Sequence, residues 1–201
     1  MLRVEVSPAF ESQVRTGAEA AIVFGLSRTA ERLADVVEVH ARAARPRRSW
    51  HIRLSEGTSR SFARRRDAVA FRERHGGEIT VHDRHSQVWI TGRAYDGVPG
   101  IARVSRGVRY LVTLKIPVDA AGSPPERYPR TWRYTRYATA PAQRFTSWEE
   151  ELVHASAHEG RHIMQFATGL PRSEIDAEHA ACAALRSWRQ RRAGAEQIAL
   201  F

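Results

Sequence analysis

The sequence predicts an α+β fold, because strand-like segments in the middle of the chain are followed by two strongly helical segments near its end. With 201 residues, 42% of them hydrophobic, the chain is long and apolar enough for one compact domain. The same composition excludes an intrinsically disordered protein. We expect a single domain over residues 1–201, with a helical N-terminal part (1–76), a strand-rich part (77–145), a helical hairpin (146–192) and a tail (193–201).

The N-terminal part is predicted to be a short strand followed by helices. Residues 1–10 suit a strand, whereas residues 17–44 are Ala-rich and carry apolar residues at helical spacing. We expect that helix to be broken at Gly25 and to end before Pro46. Two further elements are expected, a strand at residues 50–54 and a basic helix at residues 61–75.

The middle of the chain contains short stretches that alternate apolar and polar residues or are rich in β-branched ones. Strands are expected at residues 78–81, 87–91, 100–104 and 109–116. Residues 117–145 hold most of the prolines, so we expect an irregular excursion there.

A long amphipathic helix is predicted from Trp148 to Thr168. Thr146 or Ser147 can act as its N-cap, with Glu149 or Glu150 three residues on, which is the pattern of a capping box. Gly169 is expected to end the helix in a left-handed conformation.

Within this helix lies the most informative motif of the chain, His158-Glu159-Gly160-Arg161-His162. Residues four apart project from the same helix face, so both imidazoles can bind one tetrahedral zinc ion. Glu159 leaves the helix about 100° away, where it can take a proton from a water held at the metal. The motif therefore predicts metal-assisted hydrolysis, most often of a peptide bond.

A second helix is predicted after Gly169-Leu170-Pro171, and the short connection makes the two helices antiparallel neighbours. A catalytic zinc needs a third protein ligand, which a carboxylate on the second helix can supply. Simple hairpin geometry places Glu178 level with the two histidines and Glu174 about 6 Å nearer the turn.

The pentad followed by a helix with the pattern Glu-x-x-Ala-(Asp/Asn/Glu) resembles the gluzincin branch of the zincin metallopeptidases. It is most similar to the small bacterial and phage-associated type, including the repressor-cleaving ImmA/IrrE-like enzymes. The resemblance covers about forty residues, 148–188, and Glu174, Ala177 and Glu178 match its second-helix pattern. It departs in the short gap between the pentad and Glu174, and in having Glu rather than Asp at the last position.

The resemblance implies that Glu174 binds zinc and that Glu178 braces a ligand, whereas hairpin geometry favours Glu178 as the ligand. We rank Glu174 first, because crossed helices shift the level of their residues. Asp176 is expected to point elsewhere, into solvent.

The resemblance also implies a zincin-like fold, in which an antiparallel or mixed sheet packs on the HExxH helix and a short antiparallel Glu-bearing helix follows. In zincins an edge strand beside the active helix holds the substrate backbone by strand addition. Residues 109–116 are the candidate for that strand.

Other residues near the pentad have competing interpretations. His154 lies one turn before His158. It could support a metal ligand or make an extra metal contact, but we prefer to interpret it as a partly exposed helical histidine. The same alternatives and the same preference apply to His179. A metzincin is excluded, because Gln165 and Thr168 occupy the places of its Gly and third His. Cys182, the only cysteine, excludes a zinc ribbon or disulfide scaffold and is expected to be a small core residue.

The net charge of +10 comes almost wholly from arginine. Arginine binds phosphates well, so a nucleic acid is one conceivable partner. We favour instead the replacement of Lys by Arg in a GC-rich genome, since no nucleic-acid-binding motif accompanies the arginines. The absence of a long apolar run or a signal peptide, together with the single cysteine, predicts the cytoplasm of a bacterium or phage-infected cell, with no membrane partner.

The leading hypothesis is a zinc metallopeptidase acting on a protein or peptide, with Zn²⁺ on His158, His162 and Glu174 and with Glu159 as general base. Tyr134 and Tyr137 are guesses for the oxyanion-stabilising group. The alternative is a catalytically silent zincin-like binding or structural module of a phage or mobile element, which could contact nucleic acid through its Arg-rich surface. The sequence does not specify the oligomeric state or the substrate.

Overall fold

The computed structural model describes residues 2–44, 47–84, 89–100, 102–119, 121–124, 127–132 and 142–198. The fold is mixed α and β. Its elements in chain order are β1 (Arg3–Val6), α1 (Ser12–Ala30), β2 (Val37–Ala44), β3 (Arg47–Arg53), β4 (Ser59–Phe62), α2 (Arg65–His75), β5 (Glu78–Arg84), β6 (Thr91–Asp96), β7 (Tyr110–Pro117), β8 (Arg130–Trp132), β9 (Gln143–Phe145), α3 (Trp148–Thr168) and α4 (Glu174–Ile198).

The main sheet has four strands in the order β1-β2-β7-β6. The first three run parallel, and β6 is antiparallel to β7. The expected strand at 109–116 is therefore confirmed as β7, but its expected position at the sheet edge is wrong, because β2 and β6 pair with it on both sides. The edge strand next to α3 is β6, which contacts that helix directly.

The predicted helices of residues 1–76 are present as α1 and α2, but this part of the chain also contains four strands. Residues 17–44 are not one helix: α1 ends at Ala30 and the buried strand β2 begins at Val37. In β2 the apolar residues Val37, Val39 and Ala41 alternate with polar ones, and pairing with β1 and β7 determines the conformation.

Helices α1 and α3 cross at two glycines. A Cβ atom at Gly25 would lie 2.1 Å from Ser156 Oγ, and one at Gly160 would lie 2.3 Å from Thr29 Oγ1. Gly25 thus lies inside α1, contrary to the expected break, because close packing of the helices needs a residue without a side chain. The same crossing explains the glycine inside the pentad.

Helix α3 has the predicted limits. The Ser147 hydroxyl accepts a hydrogen bond from the Glu150 backbone N–H (3.4 Å), the Glu150 carboxylate accepts one from the Thr146 N–H (2.8 Å), and Gly169 ends the helix with φ 68°. The capping box and the left-handed C-cap are confirmed.

Helix α4 runs antiparallel to α3, as the contacts between them show. Arg189 binds Glu150 near the start of α3, whereas Gln165 near its end donates to the carbonyl of Ser173. The expectation of a short second helix with a tail after residue 192 is wrong, because α4 continues to Ile198 through residues that are mostly good helix formers.

Three strands and one helix form a second, smaller unit. Strands β3, β4 and β5 make an antiparallel sheet in the order β4-β3-β5, and α2 packs on it. The expected strands at 50–54 and 78–81 are confirmed within β3 and β5, whereas residues 102–104 form no strand. Strand β6 begins only at Thr91, and residues 85–88 and 101 lie outside the described residues.

No helix in the described part of the chain is both long and apolar enough to cross a membrane.

Candidate metal centre

Three side chains of α3 and α4 converge on one point. His158 Nε2 lies 3.2 Å from His162 Nε2 and 3.2 Å from Glu174 Oε2, and the distance between His162 Nε2 and Glu174 Oε2 is 3.4 Å. Ligands about 2.0–2.1 Å from a tetrahedral zinc ion lie roughly 3.3–3.4 Å from one another. The three atoms therefore have the mutual spacing of ligands on one metal ion.

The orientation of His162 is determined by Gln165. The Gln165 amide nitrogen donates to Ser173 O (3.2 Å) and Asp176 Oδ2 (2.8 Å), so its Oε1 accepts from His162 Nδ1 (2.9 Å). With its proton on Nδ1, His162 presents the lone pair of Nε2 to the metal position. The ring is completely buried, which keeps it in this orientation.

The orientation of His158 is determined by Glu178. His158 Nδ1 lies 3.4 Å from Glu178 Oε2, on the side of the ring opposite the metal position. Of the two candidate third ligands, Glu174 thus lies close to the Nε2 atoms of both histidines. Glu178 lies on the Nδ1 side of His158, away from the metal position. A carboxylate behind a ligating imidazole is the usual arrangement in metal sites.

His154 extends this network away from the metal position. It is 6% exposed, and its Nε2 lies 3.0 Å from Glu178 Oε1, so the preferred interpretation of a partly exposed histidine is wrong. The neighbouring Phe145 ring packs against it edge-on. His154 is buried because α4 covers this face of α3, which the sequence of α3 alone does not reveal.

Asp176 was expected to point into solvent, but it is hydrogen-bonded to protein side chains. It receives two hydrogen bonds from Arg161 (2.7 and 3.2 Å) and one from Gln165. It therefore holds the amide that orients His162. His179 is exposed, in agreement with its interpretation as a surface residue.

The charges around the two histidines suit a cation. Burial lowers the pKa of His162, and the neighbouring His158 lowers it further, which favours the neutral imidazole that a metal ion requires. Burial alone would raise the pKa of Glu178, but hydrogen bonds from His154 and His158 outweigh it and lower the pKa to about 2. Two imidazole nitrogens, one carboxylate ligand and one bracing carboxylate form a donor set that fits zinc.

Glu159 lies beside this group and is not one of its ligands. Its side chain is 6% exposed, and its Oε2 has no hydrogen-bond partner among the described atoms. Burial raises the pKa of this carboxyl above its ordinary value. A buried carboxylate with a raised pKa and a free oxygen is suited to accept a proton.

Gly92 on strand β6 makes room for Glu159. A Cβ atom at Gly92 would lie 2.4 Å from Glu159 Cγ and 2.7 Å from its Oε1. We expect Gly92→Ala to displace the Glu159 side chain and to lower any hydrolytic rate by at least about tenfold, while zinc affinity stays within a few-fold of the unmodified chain. Gly100→Ala is the control, because nothing lies within 4 Å of a Cβ atom added there and its φ is not positive.

Peptide cleavage and zinc titration of both variants check this prediction. Full activity in Gly92→Ala, with the fold intact by circular dichroism, would show that the position of Glu159 is unimportant.

A cleft of about 370 Å³ opens beside the three converging side chains. One wall is the start of β6, and another is formed by aromatic side chains. The lining residues include Gly92, His158, Glu159, Glu174, Trp89, Trp132 and Phe145.

Glu151 holds the aromatic wall in place. It accepts hydrogen bonds from the Ile90 backbone N–H (2.6 Å) and the Tyr128 hydroxyl (2.7 Å), and it forms an ion pair with Arg130. The Arg130 guanidinium stacks on the Trp89 ring at 4.1 Å. One buried carboxylate thus joins α3 to two loop segments that are far apart in the sequence.

Arg172 is a site residue that the sequence did not indicate. It lines the cleft, its side chain is 50% exposed, and its Nη2 lies 3.0 Å from Glu174 Oε1. Its position just before α4 was the only signal available. Tyr134 and Tyr137, the guesses for an oxyanion-stabilising group, lie outside the described residues.

Two other groups could hold a metal by proximity, but their chemistry does not favour one. In the group of Glu5, Glu38 and His40, His40 Nε2 lies 2.6 Å from Glu38 Oε1, which is too short for two ligands of one ion, and Arg42 already pairs with Glu5. In the group of His154, Glu178 and Cys182, burial and the charge of Glu178 raise the pKa of the thiol to about 11. Cys182 is a buried residue of α4, as expected.

The chain matches no sequence model of a protein family, and neither its sequence nor its fold gives a significant match among curated proteins or solved structures.

Proposed function

We propose that the chain is a zinc-dependent metallopeptidase of the zincin type, with His158, His162 and Glu174 as metal ligands and Glu159 as general base. One observation carries the proposal: three candidate ligand atoms lie 3.2–3.4 Å apart beside a cleft, next to the buried Glu159 carboxyl group, whose Oε2 has no hydrogen-bond partner among the described atoms. Two imidazoles and one carboxylate, with a further group behind each histidine, support zinc as the metal and hydrolysis as the reaction.

When bound, zinc would polarise the scissile carbonyl group and make a water molecule more acidic. The protein's own residues supply the remaining steps. Glu159 accepts the proton of the attacking water at its unpaired Oε2 and passes it to the leaving amine. Arg172, partly exposed in the same cleft, is our candidate to stabilise the negative charge on the carbonyl oxygen.

Strand β6 supports a peptide as the substrate. Among the described strands it pairs only with β7, and residues 90–92 at its start line the cleft. An extended peptide can add to such an edge strand by main-chain hydrogen bonds. A peptide bound in this way would lie next to Glu159, which packs against Gly92.

The aromatic wall supports an apolar residue near the scissile bond. Trp89 and Trp132 pack edge-to-face with 5.0 Å between ring centroids, and Phe145 closes the wall. Burying an aromatic or aliphatic side chain there would stabilise the complex by roughly 1.5–3 kcal/mol. The preferred substrate is therefore a peptide with a large apolar residue beside the cleaved bond.

A catalytically silent module is the alternative, and the Glu159 side chain argues against it. Burying a carboxyl group costs free energy. The Glu159 carboxyl is buried at the cleft without being one of the three candidate ligands, so it has a use in hydrolysis and none in a module that only binds a metal.

A peptide-library digestion tests the proposal. The protein, supplied with zinc, is incubated with the library, and the products are identified by mass spectrometry. We expect cleavage that stops on chelation, returns with zinc and occurs next to large apolar residues. In Trp132→Ala, the preference for aromatic residues should weaken several-fold relative to Ala-containing peptides. A zinc-loaded protein that cleaves no peptide in the library would contradict the proposal.

A further inference from the structure

The second, smaller unit at residues 47–84, which we call the basic unit, carries a disproportionate share of the charge. It contains ten arginines and five acidic residues, a net charge of +5. That is half of the chain's net charge of +10 in fewer than one fifth of its residues. A genome-wide preference for Arg over Lys explains why the basic side chains are arginines. It does not explain why the excess of positive charge is concentrated in this unit.

The basic unit is built as a separate packing unit. Its three strands and α2 contact one another, whereas the main sheet and helices α1, α3 and α4 form their own core. Ile52 and Ala68 are fully buried between its sheet and its helix. The chain enters the unit after β2 and leaves it before β6, so it is inserted between two strands of the main sheet.

All seven arginines of the basic unit whose side chains the structure describes are exposed to solvent: Arg53, Arg60, Arg64, Arg65, Arg66, Arg72 and Arg74. Among the side chains described in this unit, Arg66 and Asp67 form the one ion pair, at 3.5 Å. Most of the positive charge is therefore available to a partner.

Among the side chains that the structure describes, the open face of the small sheet is polar and carries no Phe, Tyr or Trp ring. His51 lies at its centre, with Ser49 Oγ 3.0 Å from Nε2 and Ser61 Oγ 2.9 Å from Nδ1, and Thr80 is exposed beside it. Trp50 and Phe62 are cross-strand neighbours on the opposite face of the sheet, which α2 covers. Hydroxyl, imidazole and guanidinium groups bind phosphate oxygens, whereas stacking on single-stranded bases needs exposed aromatic rings.

We propose that the basic unit is a docking surface for the phosphate backbone of double-stranded DNA. Its arginines lie on an exposed helix and on neighbouring strands, and the wide major groove of B-form DNA accepts a helix. The deep, narrow major groove of duplex RNA does not. The surface recognises charge and shape without reading bases, and it would bring the candidate peptidase to proteins bound on DNA.

This surface is distinct from the candidate metal centre, because no residue of the cleft lies within residues 47–84. Variants of the basic unit therefore leave the metal ligands, Glu159 and the aromatic wall unchanged. DNA binding can be measured whether or not the protein cleaves peptides, so the two proposals fail independently.

The test compares two triple variants of the full chain. The first is Arg65→Gln, Arg72→Gln and Arg74→Gln on α2; the control is Arg15→Gln, Arg186→Gln and Arg192→Gln on α1 and α4. All six positions are exposed and helical, glutamine keeps a good helix propensity, and each triple variant lowers the net charge from +10 to +7. Binding is followed by fluorescence anisotropy with a labelled DNA duplex of about 20 base pairs over a range of salt concentrations.

We expect the unmodified chain and the control to bind the duplex with affinity that falls steeply as salt rises. The variant of the basic unit should bind about 10–100-fold more weakly at low salt. Its negative slope of log K against log[salt] should be smaller in magnitude by roughly 2–3. Equal weakening in both triple variants would overturn the proposal, since bulk charge would then explain the binding. So would tighter binding to duplex RNA or single strands, or binding to phosphatidylserine vesicles without binding to DNA.

Discussion

Glu159→Gln is expected to lower peptide hydrolysis by about 10²–10⁴-fold, the usual contribution of a general base. Glutamine keeps the shape of the side chain and fits the same space against Gly92, but it cannot accept the proton of the attacking water. Because Glu159 is not among the three converging ligand atoms, zinc affinity should stay within a few-fold. The measurement is kcat/KM on a peptide that the library identifies, together with zinc content.

Glu149→Gln is the matched control, since Glu149 lies on the same helix and does not line the cleft. It should retain full activity. If Glu159→Gln cleaved the peptide at an undiminished rate, a mechanism with Glu159 as base would be wrong, even with zinc present.

Glu174→Gln is expected to weaken zinc binding more than Glu178→Gln does. Glu174 Oε2 lies within 3.4 Å of both histidine Nε2 atoms, so its loss removes a negatively charged ligand. Glu178 acts through His158 and His154, and loss of such a bracing residue typically costs about 10–100-fold in affinity. Competition with a chromogenic chelator measures both affinities.

In the same titration, Glu149→Gln should bind zinc like the unmodified chain. A reversed order, with Glu178→Gln the weaker binder, would make Glu178 the ligand. Equal and negligible effects from both would mean that neither carboxylate touches the metal.

The parts of the site that were predicted from sequence depend on local signals. Ser147, Glu150 and Gly169 set the ends of α3 through contacts within a few residues, and helical spacing alone places His158 and His162 on one face. The choice between Glu174 and Glu178 was not local, because it depends on how α4 packs against α3. Hairpin geometry put Glu178 level with the two Nε2 atoms, whereas Glu174 lies there in the structure.

The errors arose where distant segments decide the structure. Strand β2 has the composition of a helix continuation and becomes a strand only because β1 and β7 flank it. Gly25 looked like a helix break, but it is the contact point of α1 with α3. The cleft could not be predicted from the sequence either, because its lining residues Trp89, Trp132 and Arg172 come from three separate segments.

Helices α3 and α4 are proposed to bind a single zinc ion together. The most direct measurement is metal content by mass spectrometry on protein purified without a metal-binding tag and equilibrated with zinc. We predict about one zinc per chain, and none in the double variant His158→Ala, His162→Ala with its fold verified by circular dichroism. A folded double variant that retained a full equivalent of zinc, or an unmodified chain that bound none, would contradict the assignment.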